Sequence, residues 1–309
     1  MKTLPQVRLA LGLRSTAQSL GVIGRDAGIF RAQGLDLRIA REETAGPEGV
    51  RGLIAGEYEL AEFGAVPLVQ AVYEGHDPVI LLAAEQTNAL YLLGAAHIDT
   101  PRALAGGRIG VLSMPGQTGV SAAAMLDKWD LSRADVELLE LGTYPAIYQA
   151  LQDGRIAAGV LTADYGIAGT IAFGLRKLAD LGEELRFQGP ILATTRRYAS
   201  AHPERVQRAV AAYVRTIALF VEQPHRVLDS MQRHLGFLDH EQALAVHAFY
   251  ARRFQHRPYP SEAGMKRVID LYAPSYPRPA LRLEDIWDRS FLDRSLAMTG
   301  PRPTTSSQG

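Results

Sequence analysis

The chain contains no cysteine, so disulfides, thiolate zinc sites and a cysteine nucleophile are excluded together. It has no net charge: 33 basic residues balance 33 acidic ones. No bulk field therefore draws it toward nucleic acid or an anionic membrane. No apolar run approaches the roughly 18–20 residues needed to cross a bilayer. The first apolar stretch, over 7–13, is interrupted by Arg8 and followed by Arg14, so it makes no secretory h-region. Two locations stay open: the periplasm, if the chain is the processed form of an exported precursor, or the cytoplasm, if it is the full gene product. Gly-x-Ser-x-Gly and His-Glu-x-x-His are both absent. The eight histidines form no metal-ligand pattern; His240 and His247 could share a helix face, but two histidines do not make a zinc site. No metal and no cofactor is expected.

What is present is an alternation of strand and helix patterns in a chain of 309 residues, long enough for two lobes. Strands are expected over 7–13, 35–39, 58–62, 79–84 and 91–96, with helices over 20–31, 47–55 and 66–73 between them. The rhythm restarts with strands over 108–112, 136–140 and 158–162, helices over 120–129, 144–152 and 165–173, and a returning strand over 192–195. Such βα units favour parallel sheets with helices on both faces. After about 203 the strand signal ends. Val206, Ala209, Val210, Tyr213, Ile217, Phe220 and Val221 fall on one helical face. Further helices are expected over 227–235, 240–249 and 265–271, together forming a cap on the first lobe. The expected division is 1–96 for the first part of lobe 1, 97–195 for lobe 2, and 196–298 for the completion of lobe 1. A tail over 299–309 has almost nothing to bury and is expected to be disordered.

Three stretches share one design, a buried strand running through small polar residues into a helix. They lie at 58–67, 107–119 and 159–166. An open helix start presents unpaired backbone N–H groups to an anion or a polar head. Three such mouths suggest a small-molecule cleft. Ser113-Met-Pro-Gly-Gln-Thr-Gly119 contributes Gln117 and Thr118 as side-chain donors, and it is no nucleotide P-loop because the lysine and the spacing are missing. Tyr144, Thr162, Asp164 and Tyr165 complete the facing wall, with Asp164 as either a reader of a cationic group or an N-cap. On the first lobe, Arg14 is either a planar fork for a carboxylate, sulfonate or phosphate, or a surface arginine. Ser15 and Gln18 are hydrogen-bonders or capping groups. Glu62 either binds an amino or ring N–H group, with Phe63 as an apolar wall and Gly64 beside it, or makes an internal salt bridge or cap. Gln86 reaches the ligand from the crossover or satisfies its backbone.

The passages Ala27-Gly-Ile-Phe-Arg-Ala-Gln-Gly-Leu-Asp-Leu37, Leu53-Ile-Ala-Gly-Glu-Tyr-Glu-Leu-Ala61, Leu104-Ala-Gly-Gly-Arg-Ile-Gly-Val111, Asp135-Val-Glu-Leu-Leu139 and Ala150-Leu-Gln-Asp-Gly-Arg-Ile-Ala-Ala158 occur in a telling order. In that order and spacing the chain resembles the nitrate, sulfonate and taurine type of importer substrate-binding protein, a family that includes thiamine-pyrimidine proteins. The resemblance implies an α/β, two-lobe periplasmic-binding-protein-like fold of type II, each lobe a mainly parallel sheet flanked by helices, with a helical C-terminal cap. It also implies a small organic ligand, anionic or zwitterionic, held between the lobes, and an ABC permease as partner; no nucleic acid and no membrane span enter the picture. The same fold carries cytosolic enzymes, so a decarboxylase or lyase acting on a small organic acid is the alternative. The desulfinase and pyrimidine-synthase relatives depend on cysteines that this chain lacks. In the enzyme reading Arg14 orients a carboxylate and Glu62 or Asp164 works as a general acid or base.

Overall fold

In the computed structural model, residues 3–298 are described, apart from 13, 43–45, 133 and 278. The expected tail over 299–309 lies outside the described residues. Ten strands fall in chain order: β1 Gln6–Ala10, β2 Asp36–Arg41, β3 Leu60–Gly64, β4 Pro78–Leu82, β5 Leu90–Gly94, β6 Arg108–Val111, β7 Glu137–Glu140, β8 Ala158–Thr162, β9 Arg176–Asp180 and β10 Pro190–Thr195. They form two five-stranded sheets, ordered β2-β1-β3-β10-β4 and β7-β6-β8-β5-β9.

The two sheets follow one plan. In the first, β1 runs parallel to β2 and β3, while β10 pairs antiparallel with both β3 and β4. In the second, β6 runs parallel to β7 and β8, while β5 pairs antiparallel with both β8 and β9. Each sheet therefore holds one reversed strand, and in each case it is the strand that has just arrived from the other sheet. Strand β5, grouped by the sequence reading with the end of lobe 1, hydrogen-bonds in the second sheet instead. The inner strands β5 and β8 and the edge strand β4 are buried along their whole length, as expected for strands covered on both faces. Strand β9 has no counterpart in the sequence reading. It is an edge strand with exposed Arg176 and Lys177, and such charges protect an edge while hiding the apolar alternation.

The two crossovers, 83–89 and 181–189, lie against each other. The amide of Asn88 donates to the Phe187 carbonyl at 3.2 Å, and the Gln188 side chain donates to the Glu85 carbonyl at 2.8 Å. Any side chain at Gly189 would meet the Thr87 carbonyl, its Cβ lying 2.8 Å from that oxygen. Arg253 clamps this pair. It makes a 2.7 Å ion pair with buried Glu85 and donates to the Thr87 carbonyl, the Thr87 hydroxyl and the Asn88 carbonyl at 3.0–3.1 Å.

The long helix Pro203–Glu222 buries the expected face: Val206, Ala209, Val210, Tyr213, Ile217 and Phe220 are all in the core. Burial of each large apolar side chain contributes about 1.5–3 kcal/mol, which suffices to hold such a helix on the first lobe. Its neighbours are the helices Leu20–Asp26 and Ser290–Met298. The helix Glu262–Tyr272 starts at Ser261, whose hydroxyl accepts from the Gly264 amide at 3.1 Å. It packs with the helices Gly46–Ala55 and Ala65–Tyr73 on the other face of the first sheet. The C-terminal helices do more than cap the first lobe, however. Helix His240–Ala251 packs on Ala163–Phe173 of the second lobe, and Phe237 just ahead of it stacks on Tyr165 with centroids 4.1 Å apart.

Candidate functional site

Four βα junctions meet between the sheets. After β3 the chain turns at Gly64 directly into Ala65–Tyr73; after β6 it reaches Gly116, the cap of Gln117–Lys128; after β8 Thr162 caps Ala163–Phe173; after β1 comes the 3-10 turn Thr16–Gln18. Gly64, Gly116 and Thr162 cap with extended backbone and without a side-chain hydrogen bond, so the first-turn N–H groups are not answered by their own caps. The first two helices also carry no acid in the first turn. Strand ends in open α/β sheets gather ligands at such junctions.

A cleft of about 630 Å³ of empty space, part of it continuous with solvent, lies where these junctions converge. Of the sequence candidates, Ser15, Gln18, Phe63, Gly64, Gln117, Thr118, Tyr144 and Thr162 line it. The crossovers add Asn88, Gln188 and Gly189, and the C-terminal helix adds Tyr250. None of the described lining residues carries a charged side chain. Several polar groups on the wall have no partner among the described residues: the hydroxyls of Ser15 and Ser113, and both polar atoms of Asn88 and of Gln117. Ser15 is 0% exposed and Asn88 2%. A buried polar group without a partner costs about 1–3 kcal/mol, so a cluster of them facing one cavity marks a place where a polar molecule completes the hydrogen bonds. Thr118 is already engaged, its hydroxyl accepting from the Leu112 amide at 3.0 Å and closing the loop before the helix.

Five candidates sit elsewhere. Arg14 lies in a separate surface recess with Arg25, Asp26, Glu42, Ser230, Arg233 and His234. Gln86 is exposed and donates to the Tyr259 carbonyl at 2.9 Å, serving the crossover backbone. Tyr165 is packed between Tyr144, Tyr148 and Phe237 and does not line the cleft. Glu62 turns into the first lobe, where its Oε1 accepts from the Gly21 amide at 2.8 Å and the Tyr213 hydroxyl at 2.5 Å. Burial pushes its carboxyl up to about 7, against the opposing pull of those two donors. Gly21 is in the first turn of Leu20–Asp26, so this acid answers the start of that helix and not, as the sequence reading had it, of the helix that follows its own strand. Asp164 is 0% exposed and lies behind the wall. Its Oδ1 accepts from the Thr16 amide at 3.1 Å and from the Thr16 hydroxyl, and its Oδ2 accepts from the Tyr250 hydroxyl at 2.8 Å. Burial raises its pKa, and the Thr16, Tyr250 and Thr162 hydroxyls oppose that rise. Neither acid lines the cleft.

The sequence reading missed Asn88, Gln188 and Tyr250. Asn88 was within reach, two positions beyond Gln86 in the same polar crossover. Tyr250 carries no local signal; only the return of its helix across the lobes brings it to the cleft. His247, one turn earlier in that helix, bonds the Phe220 carbonyl at 2.7 Å and stacks on the Phe220 ring.

Two sheets joined by paired crossovers, with one reversed strand in each and a cleft between them, define a two-lobe periplasmic-binding-protein-like fold. Solved structures agree. A Bordetella bronchiseptica RB50 protein superposes with a TM-score of 0.80 at 17% identity, over 96% of this chain and 99% of that one. The alkanesulfonate-binding protein SsuA of Xanthomonas axonopodis pv. citri, bound to MOPS, gives 0.74 at 20% identity over 94% and 100%. The periplasmic aliphatic sulphonate binding protein SsuA of Escherichia coli gives 0.70 at 20% over 93% and 94%. The NMT1/THI5-like family model matches residues 19–227, and the chain belongs to that family. No curated protein matches it by sequence.

Proposed function

We propose that this chain is a solute-binding protein that closes its lobes around a small organic molecule and presents it to an ABC-type permease. The observation that carries this reading is the cleft itself: neutral, set between helix starts, and walled by buried Ser15 and Asn88 with unanswered hydrogen-bonding groups. Ser15, Gln18, Asn88, Ser113, Gln117 and Gln188 supply directional polar contacts, and Phe63, Tyr144 and Leu90 supply apolar walls. An anionic head fits best between the starts of Ala65–Tyr73 and Gln117–Lys128, where both helix dipoles are open and no cationic side chain competes. The moving bodies are the two sheets with their helices, hinged at 83–89 and 181–189. Sulfonates are the first class to test, because two structural neighbours bind them; aromatic carboxylates and pyrimidines follow.

The test is calorimetric titration of the purified protein with that panel, followed by recovery of the bound molecule. Saturation at one equivalent with the molecule recovered unchanged supports a binder. Consumption of many equivalents overturns that reading in favour of an enzyme. Failure of all three classes to bind overturns the assignment of ligand class.

A further inference from the structure

Asp164 stands out among the buried groups because its partners belong to different parts of the molecule. The carboxylate starts a second-lobe helix, whereas Thr16 follows the first strand of the first lobe and Tyr250 is in the C-terminal helix His240–Ala251. Two donors from the first lobe and one from a C-terminal helix packed on the second lobe converge on one carboxylate that is shut off from solvent. When the lobes part, water replaces the Thr16 amide and hydroxyl, and the full set exists only with the lobes together. Two of the donors also touch the binding wall. Tyr250 lines the cleft, and Thr16 lies between Ser15 and Ala17, which both line it. With its proton committed to Asp164, the Tyr250 hydroxyl offers the cleft only lone pairs.

We propose that Asp164 is the closure latch of this protein, a positioning residue that joins the lobes behind the bound solute and fixes Tyr250 and the 15–18 turn in their binding geometry. Asp164 thus acts on the solute through Thr16 and Tyr250. The solute end that faces Tyr250 meets an acceptor, so it must bring a hydrogen-bond donor or an apolar group, while its anionic end points to the helix starts at 65 and 117. This goes beyond the proposed solute-binding role and rests on the same cleft, but the latch can be tested with no solute present.

The absence of cysteine lets spin labels be placed without background. Cysteines at exposed Arg51 on the first lobe and exposed Gln152 on the second report the interlobe distance in the unliganded protein. Thr16→Val removes one first-lobe donor and almost no packing volume, leaving the buried carboxylate under-satisfied in the closed form only. It should raise the open-to-closed ratio about ten-fold, the effect of losing one hydrogen bond to a charged group. In an Asp164→Ala background the same substitution should change the ratio less than about two-fold, because the partner is already gone. Tyr250→Phe, in a helix that packs on the second lobe, should shift the ratio less than Thr16→Val does. All variants should keep the native circular dichroism and a cooperative melt. No shift on Thr16→Val, or the same shift in both backgrounds, would overturn the latch. Neither result bears on whether the cleft binds a solute, which the titrations decide separately.

Discussion

Glu62 and Asp164 are built alike and do different work. Each is a fully enclosed carboxylate that accepts from one backbone amide near a helix or turn start and from one tyrosine hydroxyl: Gly21 and Tyr213 for Glu62, Thr16 and Tyr250 for Asp164. The difference is where the donors come from. Those of Glu62 belong to the first lobe and its own long helix, so the contact survives any movement of the lobes and belongs to the fold. Of the Asp164 donors, the Thr16 amide and hydroxyl come across the gap between lobes, so that part of the contact comes and goes with closure. The same local chemistry stabilises a lobe in one case and a conformation in the other.

The strongest way to break this comparison is to remove each acid. Glu62→Ala leaves the Gly21 amide and the Tyr213 hydroxyl buried without a partner, and should lower the unfolding free energy by about 2–4 kcal/mol in a urea titration. Asp164→Ala should cost less than about half of that, because opening of the lobes returns its donors to water. Equal losses would erase the distinction. The pH dependence sharpens it. The Glu62 carboxyl stands at about 7 in the folded chain, above its ordinary 4.5, so the folded state holds that proton more tightly than the unfolded chain does. Its contribution is fully present below about 4.5 and is lost as pH rises through about 7, with a slope of at most about 1.4 kcal/mol per pH unit. Glu62→Gln should flatten that slope. What remains includes Glu85, which burial against the opposing pull of Arg253 likewise pushes up to about 7, and Asp164, which burial also raises.

At the cleft the expected effects are on affinity. Asn88→Ala removes a buried amide whose polar atoms have no partner in the described structure. It should weaken solute binding about ten-fold while leaving the unliganded protein as stable as before, or more stable by about 1 kcal/mol. A loss of both affinity and stability would mean that Asn88 belongs with Glu62, as part of the fold. Gly64→Ala should weaken binding by a smaller factor, about three-fold, because the added Cβ sits 3.1 Å from Gln117 Oε1 and 3.2 Å from Gln117 Cβ on the facing lobe. The smallest effect belongs to Arg14→Ala. It should leave affinity within about two-fold of the native value in the same titration, since its recess is separate from the cleft.

The alternation of buried strands and open helix starts was legible because it is local, and it located three of the four junctions that meet at the cleft. Eight of the thirteen candidate site residues line that cleft, and they cluster where backbone geometry dictated the choice: Gly64 at a strand end, Gln117 and Thr118 at a helix start, Thr162 at a cap. The candidates chosen for charge alone sit elsewhere. Arg14, Glu62 and Asp164 were attractive because a charged group near a strand end needs a partner, but a sequence does not show whether that partner is a ligand or another part of the chain. Gly21, Tyr213, Thr16 and Tyr250 are 41, 151, 148 and 86 positions away from the acids they serve. Tyr165 went the same way, taken up by Phe237 of a helical segment with no strand or motif to mark its path.

The sequence alone determined the βα order, the helical C-terminal third, the lack of thiol chemistry and of bulk charge, and the small polar junctions at the strand ends; each of these is written in neighbours a few positions apart. Tertiary structure decided which strand reverses in each sheet, which buried acid is cement and which is a latch, and that the cleft wall is neutral. Those outcomes depend on groups from distant parts of the chain meeting away from water, where the cost of leaving a charge or a polar atom unanswered selects the partner.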